Sequence, residues 1–335
     1  MPLPAIFNPS NDMALAANLR QYFPPRHIQQ MEDDLATLSR FWDSGPWGWS
    51  LATRQRYLRM GIAADHLPSD EWLAELRRLS SRQFGVEYYT KMSRTKWNGE
   101  IIPCQARFCT SLDEVKSSIF RSAQRDACVA QRSKNLQSSI FNLQSSILKS
   151  PWSSSGRGNI LVPNGQPDNA TLRRIESIIR QQGGIVVEPF YADKILDFAM
   201  EFDVSDEGTR FLGYSVFDAD ETGHYGGNYV ESQEALRQRI GLPDDLLQGF
   251  IDYHTSVLAR LPYRGPVGID MMRLGDGCVH PCVEINFRMT MGLLALLLYN
   301  KGITADQLLA GNPQHGFSAV IRQGSLIIRY IHREA

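Results

Sequence analysis

One segment constrains this chain more than any other: GPVGIDMMRLGDGCVHPCVEINFRMTMG, residues 265–292. Two strand-like runs, VGIDMMRL and CVHPCVEINFR, flank a Gly-Asp-Gly turn at 275–277, a composition favoured in hairpins. Glu284, Asn286 and Arg288 stand at i, i+2 and i+4, so all three project from one face. A register that sets Asp270 opposite Glu284 brings their Cβ atoms to about 5 Å. That spacing suits two carboxylates sharing a hard cation. Magnesium prefers oxygen ligands and keeps part of its shell for phosphate and water, so Asp270, Glu284 and the Asn286 amide oxygen form the expected metal set. Arg288, one pleat further along, is then placed to grip a transferring phosphate with two N–H donors. Val283, Ile285 and Phe287 face the other way and are apolar, and MTMGLLALLLYN reads as a buried helix, which sets this triad apart from an ordinary solvated edge.

Upstream, Ile147, Leu148 and Lys149 read as the end of a buried strand, followed by the small-residue loop Ser153, Ser154, Ser155, Gly156, Arg157, Gly158. Its free backbone amides can wrap phosphate oxygens, with Lys149 adding a point charge. The order is not that of a Walker loop, because the lysine precedes the glycines. A helix over ATLRRIESIIRQQGG ends on glycines, and strands follow at IVVEPF, stopping at Pro189, at residues 196–204 and at RFLGYSVFDA. This half is expected to be mostly antiparallel, with one long helix at residues 233–261 across a face. Residues 101–108 (IIPCQARF) predict a further strand.

The N-terminal LPAIF predicts a short strand, and NPSND a turn into a helix. Asn8, Ser10, Asn11 and Asp12 can line a ligand crevice there, or Ser10 or Asn11 can simply cap the helix. Trp42, Trp47 and Trp49 have two readings as well, stacking on a ligand or packing a lobe interface. Asn135–Phe141 (NLQSSIF) is repeated almost perfectly at Asn142–Leu148 (NLQSSIL), so residues 117 to about 143 are expected to be a low-complexity surface insertion.

With 35 Lys plus Arg against 36 Asp plus Glu, no global field recruits nucleic acid or an anionic membrane. Five cysteines without C-x-x-C spacing argue against a disulfide framework or structural zinc. A soluble, cytoplasmic protein with a small-molecule partner is expected.

Across about residues 80–310 the order of these motifs resembles the ATP-grasp superfamily. The resemblance implies an α+β and α/β architecture in which two subdomains grip ATP, with a small α/β domain in front. The corresponding spans are 1–80, 81–186 and 187–335. It implies ATP and Mg2+ as cofactors, with Lys149 and the 153–158 loop over the phosphates. Glu188, Phe190 and Tyr191 would lie beside the adenine, and Glu201, or alternatively Asp197, would take the ribose hydroxyls. It implies Asp270, Glu284 and Asn286 as magnesium ligands and Arg288 as the phosphate arginine. Of the earlier lysine usual in that family, only Arg82, Lys91 or Lys96 stand near the place, and Gly268 replaces an arginine found in the D-alanine ligases. The implied activity is that of a carboxylate ligase working through an acylphosphate. The alternatives are a small-molecule kinase on the same fold and an inactive nucleotide-binding module.

Overall fold

The computed structural model describes residues 2–97, 99–119, 145–153, 158–220, 225–305, 307, 308, 310, 311 and 316–331. The N-terminal segment is helical: α1 (Asn11–Ala17), α2 (Arg26–Asp34), α3 (Leu51–Arg59), α4 (Asp70–Leu79) and α5 (Arg82–Met92). Ser50, Ser69 and Ser81 cap the last three by accepting a backbone N–H through the side chain, as their preference for N-cap sites dictates. The strand expected at residues 3–7 shrinks to a single parallel bridge between Ile6 and Pro46. Pro4 and Pro46 lack the N–H groups that a longer ladder needs. Similarly, the strand expected at 101–108 survives as a bridge at Ile101 and as β1 (Arg107–Cys109), with Pro103 between them.

A small four-stranded sheet has the order β1-β4-β2-β3, where β2 is Ser146–Lys149, β3 Asn159–Val162 and β4 Ile185–Pro189. Residues 112–119 (α6) and α7 (Asn169–Gln182) cover it, burying Val115, Ile119, Leu148, Ile160, Ile175 and Val187. α7 ends where Gly183 adopts φ 82°, the left-handed conformation that stops a helix at low cost for glycine. Ile119 is buried, so residues 117–119 belong to this core and not to the expected insertion; residues 120–144 lie outside the described residues. β4 also crosses the expected boundary at 186/187, because its Ile185 and Val187 pack into the small sheet's core.

The larger sheet has eight strands in the order β10-β11-β12-β7-β6-β5-β8-β9: β5 Lys194–Ser205, β6 Gly208–Ala219, β7 Tyr225–Tyr229, β8 Gly265–Leu274, β9 Val279–Asn286, β10 Ala310–Gly311, β11 Gly316–Arg322 and β12 Ser325–Ile331. Every ladder between these strands is antiparallel, so the mixed α/β class with antiparallel sheets is the one expected from the sequence. Period-two alternation sorts β5 and β8. Phe198, Met200 and Phe202 with Val267, Ile269 and Met271 enter the main core, while Ala199, Glu201 and Asp270 face the other way, into a cavity. α4, α5, α8 (Gln233–Ile240) and α9 (Asp244–Leu258) close the apolar face. The single helix expected at 233–261 is two, because Gly241 turns left-handed and Pro243 follows. α10 (Met291–Asn300) is capped by Thr290 and buried against the N-terminal segment.

Candidate functional site

The polar face of the sheet reads as a grid. Asp270 pairs with Glu284 and Gly268 with Asn286, while β5 sets Ala199 opposite Asp270 and Glu201 opposite Gly268. Asp270, Glu284, Asn286 and Glu201 therefore converge on two successive same-face rungs, with the Ile269–Ile285 pair between them facing the core. Desolvation, then the charges of Glu284 and Glu201, push the Asp270 carboxyl well above its usual range. The Asn286 amide donates to Asp270 at 3.1 Å. Two acidic groups that repel each other beside an amide fit a hard divalent cation, which would relieve that repulsion and take the amide oxygen after a rotation. Among the described residues there is no group of three or more His, Cys, Asp or Glu able to hold a metal, so any such site here rests on two carboxylates and an amide.

Arg288 lies just past the end of β9 and does not continue the strand face as expected. Its guanidinium turns to the N-terminal helix, where Nε and Nη2 donate to the Asp12 carboxylate at 2.8–3.1 Å and Nη1 to the Met289 carbonyl. Asp12 was among four candidates in the NPSND loop. Asn8 instead bridges Gly48 and Thr53, and Ser10 donates to Glu32 at 2.6 Å. Ser10 stands at the N-cap of α1, yet its side chain makes no capping bond. Trp42 and Trp47 pack edge to face in the core, the second of the two readings, although Trp47 also reaches the cavity wall.

Glu201 is almost fully buried, and its two oxygens accept from Ser215 and Thr290, each at 2.9 Å. Burial raises its carboxyl to about 7. The carboxylate is thus committed within the protein and not offered to ribose hydroxyls; its alternative, Asp197, is ion-paired with Lys194. The space around Glu201 depends on glycine, since a Cβ at Gly292 would lie 2.3 Å from its Oε1.

Lys149 and Glu188 form a buried ion pair across adjacent strands. The space beside them is only about 20 Å³, on the order of one water. Phe190 spends its backbone N–H on the Ser145 carbonyl, and the Tyr191 ring packs on His280, while both residues are half-buried. Of the expected loop, Ser153 and Gly158 touch, since a Cβ on Gly158 would fall 2.5 Å from Ser153 Oγ. Ser154, Ser155, Gly156 and Arg157 lie outside the described residues.

Arg82, only loosely indicated by the sequence, ties these parts together. It donates to Glu284 at 2.9 Å, and to the Ser150 carbonyl and Ser153 Oγ, each at 2.7 Å. The carboxylate face, Arg288, Ser153 and Gly158 share one cavity of about 680 Å³, which the first 50 residues, Trp152, and residues of α7, β6, β7, α10 and β12 also line. Trp152 and Glu32 had no signal in the sequence. Their roles depend on long-range contacts: Arg77 stacks over Trp152 at 3.8 Å, and Glu32 receives Ser10.

No family model matches the sequence, and no curated protein matches it. Among solved structures the chain is similar to D-alanyl-alanine synthetase A from Vibrio cholerae O1, at 14% identity over 65% of this chain and 57% of that one, with a TM-score of 0.41. It is similar to a biotin carboxylase complex from Campylobacter jejuni, at 11% identity over 86% and 71%, TM-score 0.48. It is also similar to N5-carboxyaminoimidazole synthetase from Staphylococcus aureus complexed with ADP, at 10% identity over 67% and 52%, TM-score 0.39. The chain thus spans little more than half the length of the first and last of these structures.

Proposed function

We propose that this chain is an ATP-grasp enzyme that uses magnesium ATP to activate a carboxylate as an acylphosphate for attack by an amine. The observation that carries this reading is the pairing of Asp270 with Glu284, with Asn286 two residues further along the same face, in the cavity that Arg288, Ser153 and Gly158 also line. A divalent ion held by Asp270, Glu284 and Asn286 would neutralise phosphate charge. Arg288 holds and orients the phosphate, Arg82 fixes the Ser153 loop against Glu284, and Trp152 shields the cavity from water. In the reaction, a carboxylate oxygen attacks the γ-phosphorus and ADP leaves. The amine nitrogen then attacks the acyl carbon, the C–N bond forms, and inorganic phosphate departs with the electron pair of the C–O bond and takes up the proton the amine releases.

A second reading, a nucleotide-binding module without turnover, is supported by the mutual engagement of Lys149 and Glu188 beside so little space. A thermal-shift titration with magnesium ATP, followed by phosphate release with carboxylate and amine pairs, separates the two. Stabilisation follows RT ln(1 + [L]/Kd) in both, whereas phosphate release that requires both co-substrates belongs to the ligase alone. Absence of any magnesium-dependent shift at millimolar ATP excludes both.

A further inference from the structure

The cavity has two chemically different sides. One carries Asp270, Glu284 and Arg288; the other, built by the first 50 residues, presents Phe7, Met13, Ile28, Met31 and Trp47. Ile28 and Trp47 are buried, and Met31 packs on the core, but Met13 belongs to none of the core clusters and sets its thioether on the cavity wall. A flexible, polarisable side chain kept out of the core suits an irregular apolar ligand.

Several polar groups around this wall are already engaged. Ser10 gives both its hydroxyl and its backbone N–H to Glu32. Gln182 accepts from the Trp152 backbone, Gln181 donates to Ser177, and both Glu201 oxygens are occupied. A sugar-like or dicarboxylic ligand would lose its hydration against Phe7, Met13, Met31 and Trp47 without regaining hydrogen bonds from them, which is costly. An alkyl or aryl body would lose nothing and cover the methionines.

We infer that the carboxylate activated at this site is a monocarboxylic acid with an apolar body. Its carboxyl group lies at the Arg288 end, and the body rests on Met13, Met31 and Trp47. This rests on the ligase reading above, and its test separates the two. Full-length protein is titrated with octanoate, 3-phenylpropanoate, succinate and gluconate, each with and without a magnesium-bound non-hydrolysable ATP analogue, following thermal midpoint and calorimetric binding. The expected result is saturable binding of the two apolar acids alone, retained when the nucleotide is saturating. Half-saturation weakens about tenfold in Met13→Gln and is restored in Met13→Leu. Equal or better binding of succinate or gluconate overturns the inference. So does displacement of the apolar acids by nucleotide, which would give the apolar wall to the base. So does a Met13→Gln protein indistinguishable from the wild type. Nucleotide binding without such discrimination leaves the ligase reading standing and this inference failed; apolar-acid binding that depends on Met13, without any nucleotide binding, leaves the apolar subsite standing but overturns the ligase reading and with it the activation of that acid.

Discussion

Arg288 and Asp12, separated by most of the sequence, meet in a fork in which Nε and Nη2 of the guanidinium donate to the carboxylate at 2.8–3.1 Å. The two side chains are only 15% and 12% exposed. Desolvation opposes the charge on Arg288, and Asp12, Glu284 and Asp270 together outweigh it, so the guanidinium stays firmly protonated. The first helix is thereby keyed to the end of the β8–β9 hairpin, and the arginine expected to meet phosphate is already oriented.

Removing one partner of such a pair strands the other. Asp12→Ala is expected to cost about 3 kcal/mol of folding stability in urea unfolding. The double variant Asp12→Ala, Arg288→Met should recover most of that loss while abolishing turnover. A double variant as unstable as the single would show that Asp12 matters for something other than pairing.

Arg82 bridges three points, Glu284, the Ser150 carbonyl and Ser153 Oγ, which a planar fork can reach together and an ammonium cannot. Arg82→Lys keeps the charge and loses that geometry. We expect kcat/KM for ATP to fall about 100-fold, with Tm changed by only a few degrees. An unchanged kcat/KM would mean that the loop finds its place without this bridge.

The hairpin was legible because its information is local. Period two assigns faces, but the register beside the Gly-Asp-Gly turn pairs Met272 with His280, and only a shift between Asp270 and Met272 brings Asp270 opposite Glu284. The α7 stop at the glycines was visible for the same reason. What stayed hidden depends on distant segments. Nothing in the sequence near Arg288 says that its partner is Asp12, and nothing near Glu201 says that Ser215 and Thr290 will occupy both of its oxygens. The N-terminal strand failed for another reason, since prolines on both sides of the bridge leave too few donors for a ladder.

Close packing under Glu201 gives a steric test. A methyl group at residue 292 would sit 2.2 Å from Ser215 Oγ and 2.3 Å from Glu201 Oε1. Gly292→Ala is expected to destabilise by about 1–3 kcal/mol in chemical denaturation, and adding Ser215→Ala should return part of it by removing one of the two clashing oxygens. Strict additivity of the two changes would show that the added methyl is accommodated elsewhere.

His254 offers a pH test. It is fully buried, its Nδ1 is 2.7 Å from the Tyr88 hydroxyl, and burial lowers its pKa from 6.5 to about 3. In the folded protein the ring therefore stays neutral down to about pH 3, whereas in the unfolded chain it takes up a proton below 6.5. Between those values the unfolded state binds the extra proton, so stability is fully present above 6.5 and falls as pH drops, by about 1.4 kcal/mol per pH unit. Glu201 acts in the opposite sense: its carboxyl, raised from 4.5 to about 7, favours the folded state in acid and loses that contribution as pH rises through this range. The wild-type profile mixes the two effects, and a substitution separates them. His254→Gln is expected to be less stable than wild type near pH 7, because the Tyr88 contact is remade imperfectly. It should, however, lose about 2 kcal/mol less than wild type between about pH 7 and pH 5. Parallel pH profiles for the two proteins would mean that the His254 ring already carries its proton in the folded state, and the neutral, buried imidazole assigned here would be wrong.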